Sequence, residues 1–442
     1  MLECDQISFR QRMLISSIFT SLLLAVTTES PALGITLKDV CAESMRQSKK
    51  INASKEWISS ARFKLRAVRA ERWPSLNLTS NVGISKQQPA SEFSTNQRWN
   101  NSAGLEFTWN IWDGGIRGNS EDLEELNLTK AEQQALIDAN NTIKETAEAY
   151  MALHRALLAK RNHEEKIRLL HRQRDSIEQK VKNGLAPETG LMEIDGRIQQ
   201  SEANGFMISR NLRAAQLDLI NAMGTDLVNG IRITELKELT GSSLKAPQKK
   251  PWEDTLTAKI LAIDEQSDHL KLRQLEASHG PQVNLSTNLS ASVRDVGVMD
   301  ENKEGDILRR SSLELSIKYN IFDANQRRHE KSAFLAASRA QILERDQKKL
   351  ELQSSFENFY QDLASFTAQN LANQKLLDME KKRFEIVERE YRRGAQSYLD
   401  LVTALDTLVL AQQATDDDLI AEQIGLIRLH SLAGSIYEAI ME

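Results

Sequence analysis

Trp109-Asn110-Ile111-Trp112-Asp113 recurs 210 residues later (319 − 109) as Tyr319-Asn320-Ile321-Phe322-Asp323. Each copy closes a run in which apolar and polar residues alternate, and each opens a very long charged run bearing leucines. A strand therefore turns into a helix at this point, twice over.

The duplication reaches well beyond these stretches. Pro74-Ser75-Leu76-Asn77-Leu78-Thr79-Ser80-Asn81 resembles Pro281-Gln282-Val283-Asn284-Leu285-Ser286-Thr287-Asn288, at an offset of 207 (281 − 74). Downstream, Tyr150 and Tyr360, Leu153 and Leu363, Gly184 and Gly394, and Met223-Gly224 and Ala433-Gly434 are each 210 apart. A constant offset over so long a distance means that the segments have equal lengths, and so two copies of one structural unit. The expected organisation is a leader over 1–34, a first repeat over 35–240 and a second over 241–442. Each repeat is read as a helix, a β-hairpin and a long helical hairpin.

In the first copy Leu76, Leu78, Val82 and Ile84 alternate with Asn77, Thr79, Asn81 and Gly83. After a polar loop over 86–101, Ala103, Leu105, Phe107, Trp109 and Ile111 point one way and Gly104, Glu106, Thr108 and Asn110 the other. The second copy repeats this with Val283, Leu285, Leu289, Ala291 and Val293, an acidic loop over 295–306, then Leu313, Leu315, Ile317, Tyr319 and Ile321. This period of two predicts four strands of about ten residues, paired as two hairpins. A soluble sandwich also alternates, but three facts favour a transmembrane barrel. Strand length fits a tilted span. Trp73, Trp109, Trp112, Tyr319 and Phe322 gather at the helix ends of the strands, as an aromatic girdle does, and the opposite loops are long and polar.

Helical runs follow. The stretch over 36–73 is helical until Pro74, which cannot continue a helix. The run 114–181 would reach about 100 Å at 1.5 Å per residue. It breaks at Lys182 to Gly190 and returns over 191–222; its counterpart runs over 325–393, breaks at Gly394-Ala395-Gln396-Ser397 and returns over 398–432. Leu352, Phe356, Phe359, Leu363 and Phe366 step by 4, 3, 4, 3, as a coiled-coil seam does. Leu401, Leu405 and Leu408 step likewise, with Leu419, Leu426 and Leu429 in the same phase. The turns at Gly184 and Gly394 fold each long helix back as an antiparallel hairpin. A polar connector over 225–251 joins the two halves.

With 57 Lys and Arg against 62 Asp and Glu, the net charge of −5 offers no basic excess for nucleic acid. Arg10 and Arg12, the apolar run Met13 to Val26 and Ala32-Leu33-Gly34 read as a cleaved secretory signal, with a mature start near Ile35. Cleavage would leave Cys41 as the sole cysteine, too far beyond the apolar run to be a lipidated first residue.

Four strands cannot close a barrel, because an open edge in lipid leaves backbone groups unpaired at a cost of several kcal/mol each. Two chains would give eight strands and a filled interior, three would give twelve and a lumen. The chain resembles the TolC family of outer-membrane efflux channels over nearly its whole mature length. The most specific elements are the duplicated unit, the strand-ending N-I-W-D-G-G and N-I-F-D-A-N, and Tyr391-Arg392-Arg393-Gly394 leading to Asp400-Leu401. The resemblance implies a mixed α and β membrane protein: a homotrimer with a twelve-stranded transmembrane β-barrel continued by an α-helical coiled-coil periplasmic barrel. It further implies a passive exit duct for small molecules or proteins, docked onto a periplasmic adaptor and an inner-membrane pump of RND or ABC type.

By the same resemblance the turns after Val181 and Arg393 are the periplasmic tips. Asp400 matches an acid at the constriction and Tyr391 a tyrosine of the closing network. Gln396 stands where a basic partner can occur, Gly190 where an acid can, and Thr403 replaces a second acid. Pore constriction and gating are thus assigned to Asp400, Tyr391, Gln396 and Thr403, and adaptor docking to Gly184, Thr189, Gly394, Arg392 and Arg393. Asp400 has a plainer role available, as the early acid of its helix.

Catalytic motifs are missing: there is no Walker loop, G-x-S-x-G or dinucleotide fingerprint. His154, His163 and His171 are spaced by 9 and 8, which does not stack metal ligands, and are read as solvated or pore-facing. Asp416-Asp417-Asp418 is read as a wet surface. The expectation is a protein with no catalysis, cofactor or metal. Two other readings compete, a trimeric autotransporter-like adhesin anchor and a soluble periplasmic coiled-coil scaffold.

Overall fold

The structure, a computed structural model, describes residues 36–87, 96–184, 187–224, 252–294 and 306–441. The leader, the connector over 225–251 with its repeat boundary, and the loop over 295–305 lie outside these residues.

The chain runs α1 (Leu37–Gln47), α2 (Lys49–Ala70), β1 (Ser75–Gln87), β2 (Asn96–Trp112), α3 (Ile116–Lys182) and α4 (Glu188–Met223). After a short 3-10 turn at Trp252–Asp254 it repeats as α5 (Leu256–Ala277), β3 (Gln282–Arg294), β4 (Asp306–Lys318), α6 (Gln326–Arg393) and α7 (Tyr398–Ala433), with a final α8 (Ile436–Met441). The long helices have 67 and 68 residues, and their return helices 36 each. The equal offsets in sequence are thus equal helix lengths.

Two expectations change in detail. The first helical stretch is two helices, broken at Ser48, whose φ of −57° and ψ of 121° leave the helical region. Its last turn ends before Pro74, with Arg72 and Trp73 bonded back to Arg69 and Ala70. The strands are longer than ten residues, 13 to 17, because pairing of β1 with β2 continues to Gln87 and Asn96, inside the stretch read as loop. The two expected hairpins, β1 with β2 and β3 with β4, are present and join into one sheet in the order β1-β2-β3-β4. β2 pairs antiparallel with β3 from Asn100–Arg294 to Trp112–Val283, with one irregularity between Asn110 and Trp112.

Register sorts every side chain onto one of two faces. Leu78, Leu105 and Leu289 form one row and Leu76, Phe107, Thr287 and Leu313 the next; Trp109, Leu285 and Leu315 follow. On the opposite face stand Ser75, Thr108, Ser286 and Glu314, then Asn77, Glu106, Asn288 and Ser312. The apolar face is open to the surroundings, with Leu78 76% and Leu313 75% exposed. β1 and β4 are edges whose outer backbone groups have no partner strand among the described residues.

The repeated pentapeptide makes the elbow between sheet and helix. Asp113 accepts from the backbone N–H of Gly115 and of Arg117 and from Arg117 Nε at 2.7 Å. Asp323 accepts from the backbone N–H of Asn325 and Arg327 and pairs with Arg327 Nε at 2.9 Å. The two residues after each aspartate are left-handed: Gly114 and Gly115 in one copy, Ala324 and Asn325 in the other. The aspartate satisfies the free N–H groups that open the helix.

The helices pair as two antiparallel hairpins, α3 with α4 and α6 with α7. On α6 the heptad seam extends far beyond its sequence landmarks. Leu352, Phe356, Phe359, Leu363, Phe366, Asn370, Asn373, Leu377, Glu380, Phe384, Val387 and Tyr391 keep the 4, 3 spacing and are all buried or half-buried. Its polar members are partnered: Asn370 donates to Glu422 at 2.8 Å, Asn373 bonds Asp418, and Glu380 accepts from Thr407. Two cores result. One gathers Cys41, Tyr150, Met151, Leu219, Ile427 and Ile436 from α1, α3, α4, α7 and α8. The other, at the hairpin turns, gathers Leu170, Ile177, Ile194, Phe384, Tyr391 and Leu405.

Candidate functional site

Both hairpin turns lie at the same end, about 100 Å of helix from the sheet. α3 stops at Lys182 because Gly184 takes φ +71°, its N–H bonding Val181 O at 2.9 Å. α6 stops at Gly394, φ +79°, with Ala395 N–H reaching back to Glu390 O at 2.9 Å, a left-handed cap that glycine adopts without Cβ strain. An added Cβ meets nothing within 4 Å at either glycine. Both therefore serve the backbone turn and not a close approach.

The candidate residues fall into two groups. Tyr391 is buried, and its ring lies 3.6 Å from Lys180 Nζ, which also donates to Tyr391 O at 3.1 Å. This ties the end of α3 to the end of α6. Burial lowers the pKa of Lys180 and raises that of Tyr391. The other candidates stay within their own hairpin. Asp400 closes a capping box with Ser397: its carboxylate accepts from the Ser397 hydroxyl at 2.5 Å and N–H at 3.1 Å, while its own N–H donates to Ser397 Oγ. These bonds hold the Asp400 carboxyl below the usual range. Gln396 donates to Glu390 at 3.2 Å, and Thr403 to Leu399 O at 2.8 Å. Arg392 pairs with Glu388 at 2.6 Å, and Arg393 and Thr189 are exposed.

Several residues that join the hairpins were not singled out from sequence. Asp406 on α7 accepts from Lys166 of α3 at 2.9 Å and Arg197 of α4 at 3.2 Å. Arg155 pairs with Asp417 at 2.9 Å, Asn162 donates to Asp416 at 2.6 Å, and Arg428 pairs with Glu148 at 2.6 Å. The acidic triplet is a wet surface only at exposed Asp417: half-buried Asp416 and Asp418 face in different directions and bind two different helices, α3 and α6. A signal for Asp406 was present, since it is the single charged residue in Leu405-Asp406-Thr407-Leu408-Val409-Leu410. Two of the three histidines differ too, while His171 is exposed as expected. His154 is buried in the helix interface, and half-buried His163 abuts Gly205, where a Cβ would stand 2.9 Å from its Nε2. Among the described residues no group of three His, Cys, Asp or Glu is placed to hold a metal, and no helix is long and apolar enough to cross a membrane.

A sheet with two open edges, apolar on one face and continued by helical hairpins, is what comparison with known proteins also finds. The family model described as outer membrane efflux protein matches residues 42–225 and 261–435. The chain belongs to that family. It is 22% identical over 410 residues to the probable outer membrane lipoprotein SilC of Salmonella typhimurium, covering 89% of this chain and 84% of that protein. Among solved structures it is similar to CusC, with a TM-score of 0.76, 17% identity and 95% of each chain covered. It is also similar to the CmeC outer membrane channel of Campylobacter jejuni, with a TM-score of 0.76 and 12% identity over 94% of this chain and 91% of that one. The fold is that of these channels: long helical hairpins continue a four-stranded antiparallel sheet. The channel lies in the outer membrane, reaches into the periplasm and serves efflux. The adhesin and scaffold readings are not favoured, the first because a long helical hairpin follows each strand pair and the second because the strands exist.

Proposed function

We propose that this channel is the outer-membrane element of a tripartite efflux pump or type I secretion system, a homotrimeric passive duct from the periplasm outwards. A periplasmic adaptor docks at the hairpin turns and connects the duct to an inner-membrane pump of RND or ABC type. Gly184 and Gly394 shape the docking tips and Thr189, Arg392 and Arg393 present side chains there. Asp400, with Tyr391, Gln396 and Thr403 beside it, forms the constriction, so that three acids ring the path and favour cations. The duct performs no catalysis and holds no cofactor; a partner supplies the energy.

One observation carries this reading. Long helical hairpins place two short, exposed turns about 100 Å from an apolar sheet that only other copies can close. The test is crosslinking from cysteines at Thr189 and Arg393, exposed positions free of the left-handed backbone of Gly184 and Gly394. Both are expected to capture one periplasmic adaptor in cells. An intact trimer that captures none from either site rejects the docking role.

A further inference from the structure

The outward face of the sheet is mostly apolar and, among the described residues, uncharged but for one side chain. Leu76, Leu78, Ser80 and Val82 occupy it on β1, Asn101, Ala103, Leu105, Phe107 and Trp109 on β2, and Val283, Leu285, Thr287, Leu289 and Ala291 on β3. On β4 it carries Ile307, Arg309, Ser311, Leu313, Leu315 and Ile317. Arg309 is the single charged side chain on that face among the described residues. Its row reads Ser80, Ala103, Ala291 and Arg309, so the neighbours across the strands are all small and leave the guanidinium uncovered. The larger rows on either side are Leu78, Leu105, Leu289 and Ser311 below, and Val82, Asn101 and Ile307 above.

Depth decides what Arg309 meets. The girdle at the helix end includes exposed Tyr319, ten residues from Arg309 (319 − 309). At about 3.3 Å per residue and a tilt near 40°, ten residues rise about 25 Å, the height of the apolar band of such barrels. Arg309 therefore stands at the far rim of the band, level with the lipid head groups of the outer surface. A guanidinium has five N–H donors and no acceptor, and in apolar surroundings it needs an anion. Among the described residues no acid on the outward face of its own chain supplies one, and β1 of the next copy, which closes the barrel against β4, offers only Leu76, Leu78, Ser80 and Val82 among its described side chains. Phosphate is the anion found at that depth, and Arg binds it through paired N–H groups.

We propose that Arg309 grips the phosphate of a lipid head group at the outer rim of the barrel, over the small-residue row of Ser80, Ala103 and Ala291. The lipid becomes an annular partner at each joint between β4 of one subunit and β1 of the next.

The test uses the purified trimer in detergent micelles doped with diphosphoryl lipid A, with lipid retention read by native mass spectrometry. Wild type is expected to hold the lipid, Arg309→Ala to hold it roughly tenfold more weakly, and Arg309→Lys to fall between. Arg310→Gln, which changes the charge on the inward face, is expected to match wild type. Arg309→Gln, closer in volume, carries the measurement if the alanine variant does not assemble as a heat-labile trimer. Unchanged retention in an assembled Arg309 variant, or equal loss in Arg310→Gln, overturns the proposal. So does release of the lipid by inorganic phosphate alone with no preference for lipid, which marks an adventitious ion only.

Discussion

Lys180 Nζ sits 3.6 Å from the centre of the Tyr391 ring and donates to the Tyr391 carbonyl, bridging the last turns of α3 and α6. The cation lies where the carbonyl end of the α6 dipole is negative, so ring, carbonyl and dipole act together. Lys180→Met keeps the stem and removes the charge, at a cost of about 1–2 kcal/mol to the contact. The expected outcome is a several-fold rise in open-channel conductance in planar bilayers. Burial lowers the Lys180 pKa, so wild type should also lose the contact as pH rises, before an ordinary exposed lysine discharges. Identical conductance of variant and wild type across that range would show that the contact does not restrain the tip.

Asp400 serves its own helix cap, and a ring role must coexist with that. Ser397 holds its pKa down, so its charge and the capping contribution are complete above the ordinary aspartate value and vanish only as pH falls through the lowered one. Cation preference, read as reversal potential in a salt gradient, is expected to persist below the usual carboxylate range in wild type. Asp400→Asn should lose it at every pH. A preference that survives in Asp400→Asn would leave the residue as a cap alone.

Arg345 and Asp268 form an ion pair at 2.6 Å between α6 and α5, with side chains only 10% and 9% exposed. Lys271 also reaches Asp268, at 3.4 Å, and tempers the loss when Arg345 is removed. Arg345→Leu is expected to destabilise by roughly 2–3 kcal/mol, since it strands a buried carboxylate. The double change with Asp268→Leu should recover most of that in chemical unfolding. If the double variant is no better than the single one, the cost lies in packing.

Ala324 has φ of +49° where the other copy has Gly114. An alanine there is strained by about 1 kcal/mol, so Ala324→Gly is expected to raise the melting temperature of the trimer. Gly114→Ala should cost more, because its Cβ would also stand 3.2 Å from Ala277 O. Equal melting temperatures for Ala324→Gly and wild type would refute the strain argument.

The sequence by itself determined whatever depends on neighbours along the chain. A period of two placed the strands, heptads placed the seams, and Gly184 and Gly394 marked the turns, because each is a local preference of backbone or face. The duplicated pentapeptide showed where strand becomes helix, although it did not reveal that Asp113 and Asp323 cap those helices through Arg117 and Arg327. Tertiary structure alone decided the joining of β2 to β3 and the break at Ser48. That corner packs so closely on the end of α4 that a Cβ at Gly224 would meet Gln47 O at 3.4 Å. It also chose the partners of Tyr391, Asp406 and Asp416-Asp417-Asp418. With 27% charged residues, many pairings are sterically open to each carboxylate, and only the placement of one hairpin against the other selects among them.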